Sequence, residues 1–188
     1  MSSHHIVREK QEPALLIIDL EDFNHEHLGQ LLEWSPTVMV SYQAYEHADS
    51  LGVKIDAVLT PDEHFPAQAH TLVLPTEDDP LSDGLKYFVG EQYPSVNIIT
   101  NTFAVKDYAL FVHDIDLVVY TPHKKIFPVR SGFSKWKTAG ESIEIIIEPA
   151  HLQTSGLEHI DGHCYKTVKD GFYSLCFSQE FIFIAESI

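Results

Sequence analysis

Cysteine is scarce in this chain: 2 in 188 residues, Cys164 and Cys176. That is too few for a disulfide framework, and neither stands in a spacing that would hold zinc. Glycine and proline number only 9 and 10, which excludes collagen-like and low-complexity chains. Long apolar runs are missing. The longest is about five residues, as in Ala14 to Ile18, against the ~18 a membrane helix needs. The first residues, MSSHHIVREKQEP, hold no apolar stretch of the secretory kind. The expectation is a cytoplasmic protein with no membrane partner. Positive charge is scarce as well: Lys and Arg number 12 against 28 Asp and Glu, a net charge of −16. The deficit is uneven. Met1 to Thr121 holds 20 acidic and 5 basic residues, whereas Pro122 to Ile188 holds 8 and 7. Nucleic acid is excluded as a partner, because its affinity rests on Lys and Arg neutralising phosphates. Apolar residues are plentiful at 44%, and a chain of this length typically buries ~70% of its unfolded surface.

The first two thirds alternate strand and helix signals. Ala14 to Ile18 is a continuous apolar run, as in strands buried on both faces. Asn24 is placed to cap a helix, with Phe23 and Leu28 as its hydrophobic staple. Thr37 to Ser41 reads as a second strand. Ala44, Ala48 and Leu51 then mark a helix that Gly52 can end. Ile55 to Leu59 and Leu72 to Leu74 are further strands. Asp79-Pro80 opens a helix with a capping carboxylate and proline at its first position, and Leu81, Leu85 and Phe88 line its inner face. Val96 to Thr100 is a fifth strand, Ala104 to Val112 a helical segment and Leu117 to Tyr120 a sixth strand. This order predicts an α/β N-terminal domain over residues 1–121, with a parallel open sheet in Rossmann-like three layers. After that the pattern changes. Lys125 to Val129, Glu141 to Glu148, Phe172 to Phe177 and Phe181 to Ala185 are strand-like, with turns at Ser131-Gly132 and Asp170-Gly171. Glu144 to Glu148 is apolar on both parities and reads as a central strand. Residues 122–188 are expected to form a small all-β sandwich domain.

Ligands of open α/β sheets sit beyond the carboxyl ends of the strands. Those segments here are Asp19-Leu20-Glu21-Asp22, Ser41-Tyr42-Gln43, Thr60 to His64, Pro75 to Asp79 and Asn101-Thr102. Three of the five are acidic. They read either as a converging carboxylate cluster that needs a cation, or as helix caps and solvated turns, which also favour Asp and Glu. His25 and His27 are two apart, so on a helix they point to different faces and chelate poorly. His159 and His163 with Cys164 lack zinc spacing. Neither a Gly-x-Gly-x-x-Gly nor a P-loop is present.

Two segments carry a resemblance to a known family. Leu51-Gly52-Val53-Lys54-Ile55-Asp56-Ala57-Val58-Leu59 is similar to the Leu-Gly-Ile-Lys-Pro-Asp-Ala-Ile-Ile of thiamine pyrophosphokinases. Thr154-Ser155-Gly156-Leu157-Glu158-His159 resembles their Thr-x-Gly-Leu-Lys-Tyr. The order of strands and helices and the ending Phe181 to Ser187 also fit, so the resemblance spans about residues 14 to 188. The family pairs an α/β domain that binds ATP and Mg²⁺ with a β-sandwich. It forms homodimers that hold thiamine between the two domain types.

By that resemblance Asp79, Asp83 and Asp107 are the catalytic carboxylates, and Asp62 and Glu63 hold Mg²⁺. Tyr42, Gln43 and Lys106 meet ATP, and Thr154 and Gly156 lie near a thiamine-like ligand. The implied reaction is pyrophosphate transfer from ATP to thiamine, giving thiamine diphosphate. The motifs also depart from the family. Tyr42-Gln43-Ala44-Tyr45 stands for Asp-Gly-Gly-Ala, Thr60 to His64 for Gly-Asp-Phe-Asp-Ser, and Ala104 to Tyr108 for Gly-Arg-Leu-Asp-His. In the Asp-Gln-Thr-Asp-Leu-Glu stretch one register keeps Asp79, and a shifted one keeps Asp78 and Asp83. The fixed cations of the first 121 residues are Arg8, Lys10, Lys54, Lys86 and Lys106. Bulky Tyr42 and Tyr45 are placed to fill a nucleotide cleft. The alternative is therefore a catalytically inactive homodimeric relative that binds another small molecule or serves a structural role.

Overall fold

Short apolar strands and capped helices alternate in the computed structural model, which describes residues 12–34, 36–77 and 79–188. Arg8, Lys10 and Asp78 lie outside the described residues. The chain divides into two compact units, Met1–Leu117 and Val118–Ile188. The first runs β1 (Ala14–Ile17), α1 (His25–Leu32), β2 (Val38–Ser41), α2 (Tyr42–Ser50), β3 (Ala57–Thr60), β4 (Leu72–Pro75), α3 (Pro80–Gly90), β5 (Ser95–Ile99) and α4 (Val105–Tyr108). The division falls within β6 (Asp116–Thr121).

The five strands of the first unit pair in parallel in the order β5-β1-β2-β3-β4. Every residue of β1, β2 and β3 is buried, as the unbroken apolar runs require of strands covered on both faces. Asn24 caps α1 by accepting from the backbone N–H of Glu26 and His27, and Phe23 and Leu28 are both buried beside it. Asp79 caps α3 through Leu81 and Ser82. The helical segment expected to reach Val112 stops at Tyr108. Ala104 precedes it without a side chain that can cap, and the chain continues in turns.

No helix crosses from β3 to β4. Pro61 and Pro66 disfavour one there, and side chains fasten the loop instead. The Tyr45 hydroxyl accepts from Gln68 N at 2.5 Å, while the Gln68 side-chain amide donates to Asp49 Oδ1 and to Val53 O. The segment Leu51 to Leu59 serves the scaffold in the same way. Val53 and Ile55 are buried, and the Asp56 carboxylate accepts from Val38 N and Lys54 Nζ.

The second unit continues with β7 (Lys124–Val129), β8 (Phe133–Lys137), β9 (Ser142–Ile145), β10 (Gln153–Ser155), β11 (Leu157–Asp161), β12 (Cys164–Thr167), β13 (Gly171–Cys176) and β14 (Ile182–Ser187). One run of antiparallel strands is ordered β11-β12-β9-β14-β7-β6, and a separate sheet is ordered β10-β13-β8. Its core draws on both: Tyr173 and Leu175 from β13 meet Ile143, Ile145, Tyr165 and Ile184. The strand-like segment Glu141 to Glu148, whose part from Glu144 reads as central, ends as a strand at Ile145. Ile147 is 61% exposed, because the chain bends ahead of Pro149, which biases the residue before it. Among the described residues, no helix is long and apolar enough to cross a membrane.

Candidate functional site

Strand β1 has β2 on one side and β5 on the other, so successive connections leave it in opposite directions. That reversal opens a crevice beyond the carboxyl ends of β1 and β5, where open α/β sheets bind ligands. Backbone bonds from Ile18 N and Asp19 N to Ile99 O hold the two ends together. Ser41, fully buried, ties in the third element. Its hydroxyl donates to Ile18 O at 2.7 Å and accepts from Ala44 N at the start of α2.

A cavity of about 540 Å³ lies there, within the range of small-molecule sites. Its polar wall is made by Asp19, Glu21, Gln43, His47, Asn101 and Thr102. Asp19 folds its own loop by accepting from Glu21 N at 2.9 Å. The Asn101 amide oxygen is buried without a hydrogen-bond partner among the described residues. Among the described residues neither Lys nor Arg lines the cavity. The wall is thus rich in acceptors and negative charge, and among the described residues it holds no fixed cation for a polyphosphate.

The carboxylates expected to act in catalysis do not line this cavity. Asp79 spends both oxygens on the α3 cap, Oδ1 on Leu81 N and Oδ2 on Ser82 N. Asp83 accepts from the Thr76 hydroxyl at 2.8 Å and from Lys86. The Thr76 bond holds its carboxyl below the usual range, against partial burial. Asp107 and Lys106 are exposed on α4. Beside them Tyr108 is buried and stacked on Phe103 at 4.9 Å, and its hydroxyl has no partner among the described residues. Burial pushes that phenol's pKa far up, and the charges of Asp107 and Asp79 push it further. Asp79 and Asp107 therefore share one electrostatic neighbourhood, centred on Tyr108.

Asp62 turns inward on its own loop, accepting from His64 N at 2.9 Å, and Glu63 is exposed. Among the described residues no three His, Cys, Asp or Glu side chains stand close enough to share a metal ion. Mg²⁺ on one or two carboxylates relies on substrate phosphates for its remaining ligands. Tyr42 is partly exposed and accepts from Gln43 Nε2 at 3.2 Å. Tyr45 is buried edge-on against Phe65. Neither tyrosine lines the cavity, which remains open. In the second unit Thr154 lies on β10, opposite Leu175, and Gly156 stands between β10 and β11.

Asp19, Glu21, Gln43, Asn101 and Thr102 all fall in the strand-end segments that the sequence marks. His47 was missed. Its signal is the spacing from Gln43: four residues on one helix share a face.

No family model matches the sequence, and no curated protein does. Solved structures do match. Thiamine pyrophosphokinase from Bacillus subtilis superposes with a TM-score of 0.67 at 12% identity, covering 93% of this chain and 98% of that one. The enzyme from Geobacillus thermodenitrificans gives 0.68 at 10% identity, with 93% and 97% covered. The yeast enzyme gives 0.63 at 9%, with 97% and 88% covered. The fold of this chain is the thiamine pyrophosphokinase fold, over nearly its whole length.

Proposed function

We propose that the protein is a thiamine pyrophosphokinase-like small-molecule binder in which the transfer reaction has been lost. In this reading the first unit is a Rossmann-like three-layered α/β domain, and the second is a β-sandwich of the thiamine-binding kind, in a homodimer. The observation that carries it is the chemistry of the crevice at β1 and β5: carboxylates and amides, with no Lys or Arg among the described residues. Pyrophosphate transfer needs the phosphates held and their charge neutralised by cations. The engagement of Asp79 and Asp83 in a helix cap and a Thr76–Lys86 cluster supports the same conclusion.

A second reading, ATP- and Mg²⁺-dependent formation of thiamine diphosphate, is favoured by one observation. Asp79 and Asp107 share the surroundings of Tyr108, the residue aligned with the family's histidine. Incubation of purified protein with ATP, Mg²⁺ and thiamine separates the two. The expected result is no thiamine diphosphate above the protein-free control. Turnover at about 1 s⁻¹ or faster, ordinary for an enzyme, would establish the second reading.

A further inference from the structure

The small sheet β10-β13-β8 turns one face to the core of the second unit and the other to water. Successive side chains of a strand point to opposite faces. Lys135, Lys137, Tyr173 and Leu175 point inward. Outward stand Ser134 and Trp136 on β8, Phe172, Ser174 and Cys176 on β13, and Gln153 and Ser155 on β10. The usual distribution is inverted. The lysines go to the core side, where Glu186 holds them, and two aromatics go to water. Trp136 and Phe172 are cross-strand partners, 52% and 72% exposed. None of the outward side chains is charged, in a chain that is 21% charged. Exposed aromatics without charge are the make-up of an interface centre.

We infer that this face docks on the same face of a second copy of the chain. Charge selects that occupant. A partner recognised by its charge finds no counter-charge on these side chains. A two-fold contact sets a patch against itself, and an uncharged patch brings no like charges together. Two chains of net charge −16 repel, but the deficit lies in the first 121 residues; Pro122 to Ile188 holds 8 acidic and 7 basic residues. Three strands about 4.8 Å apart, over about five residues each, bury on the order of 1,000 Å² from two copies together, the lower limit for a specific interface. The dimer is therefore weak, with a Kd on the order of 10 μM. The inference deepens the homodimer of the reading above and rests on it.

Sedimentation velocity of the whole chain, from about 1 to about 200 μM, tests it. The expected result is a passage from monomer to dimer. Trp136→Lys should weaken the dimer at least about tenfold, whereas Ile160→Lys, the same charge change on exposed β11, should leave it within about twofold. Thermal unfolding shows whether each variant is folded. The wild type carries its own reporter: Cys176 lies on the docking face, and Cys164, also exposed, lies on β12 of the other sheet. Iodoacetamide should alkylate Cys176 at least about threefold more slowly at the highest concentration than at the lowest, and Cys164 at one rate throughout.

A dimer that Trp136→Lys leaves intact, or a dimer in which Cys176 reacts as fast as in the monomer, would overturn the inference while sparing the homodimer. A wild type that stays monomeric to about 200 μM would overturn both.

Discussion

Glu186→Ala is expected to cost the second unit about 3–5 kcal/mol, read as a drop in the free energy of unfolding in urea. Glu186 lies on β14 with its side chain 5% exposed, and β8 of the separate sheet sends two lysines to it. Lys135 Nζ donates to both carboxylate oxygens at 2.7 Å, Lys137 stands at 3.1 Å, and the Tyr173 hydroxyl at 3.4 Å. Truncation leaves Lys135 and Lys137 beside an emptied acceptor; Lys137, itself only 18% exposed, keeps only the more distant Glu141 carboxylate at 3.9 Å. A buried charge that has lost its partner costs far more than the intact pair contributes. The triple change Glu186→Leu, Lys135→Met and Lys137→Met should therefore recover most of the loss. If the single and triple variants are equally unstable, the charge network is not the cause.

The same group makes stability depend on pH. Burial alone would raise the Glu186 pKa, but the hydrogen bonds and charges of Lys135 and then Lys137 outweigh it and leave it below the usual 4.5. A carboxyl depressed in the folded state contributes fully above its unfolded value. That contribution is lost as pH falls through the folded one. The wild type should thus lose this increment as pH falls below the usual carboxylate range, while Glu186→Ala should show none of it.

Gly156→Ala is the second large effect, at least about 2 kcal/mol. Gly156 sits at φ +74°, where an L side chain is strained, and a Cβ there would stand 2.7 Å from the backbone oxygen of Phe172. The obstacle is backbone and cannot rotate aside. Gly156 joins β10 of one sheet to β11 of the other, and its carbonyl accepts from Val168 N. The glycine is a structural requirement of the crossing. Thermal unfolding measures the effect, and a variant as stable as the wild type would show that the crossing relaxes freely.

These two sites were unequally legible in the sequence. The parallel half announces itself, because strands buried on both faces leave runs such as Ala14 to Ile17. Asn24 and Asp79 stand just ahead of the helices they cap. The antiparallel half hides its strands. β8 alternates half-buried Phe133, Lys135 and Lys137 with exposed Ser134 and Trp136, so its inward residues include two lysines. β11 is exposed along most of its length, with only Leu157 half-buried. No apolar periodicity marks such strands, and the Glu186 network that explains β8 joins residues 51 apart in the chain. The thiamine pyrophosphokinase resemblance was correct for the fold. The carboxylates it implies, Asp62, Glu63, Asp79, Asp83 and Asp107, lie outside the lining of the cavity at the ends of β1 and β5. Convergence at a crevice depends on strand order, which a linear pattern does not contain.

A crevice walled by carboxylates should repel a triphosphate. Isothermal titration of the protein with ATP and Mg²⁺ measures this directly. Saturable heat is predicted to be absent up to about 1 mM nucleotide, equivalent to binding weaker than roughly −4 kcal/mol. A single site with a micromolar Kd would contradict it.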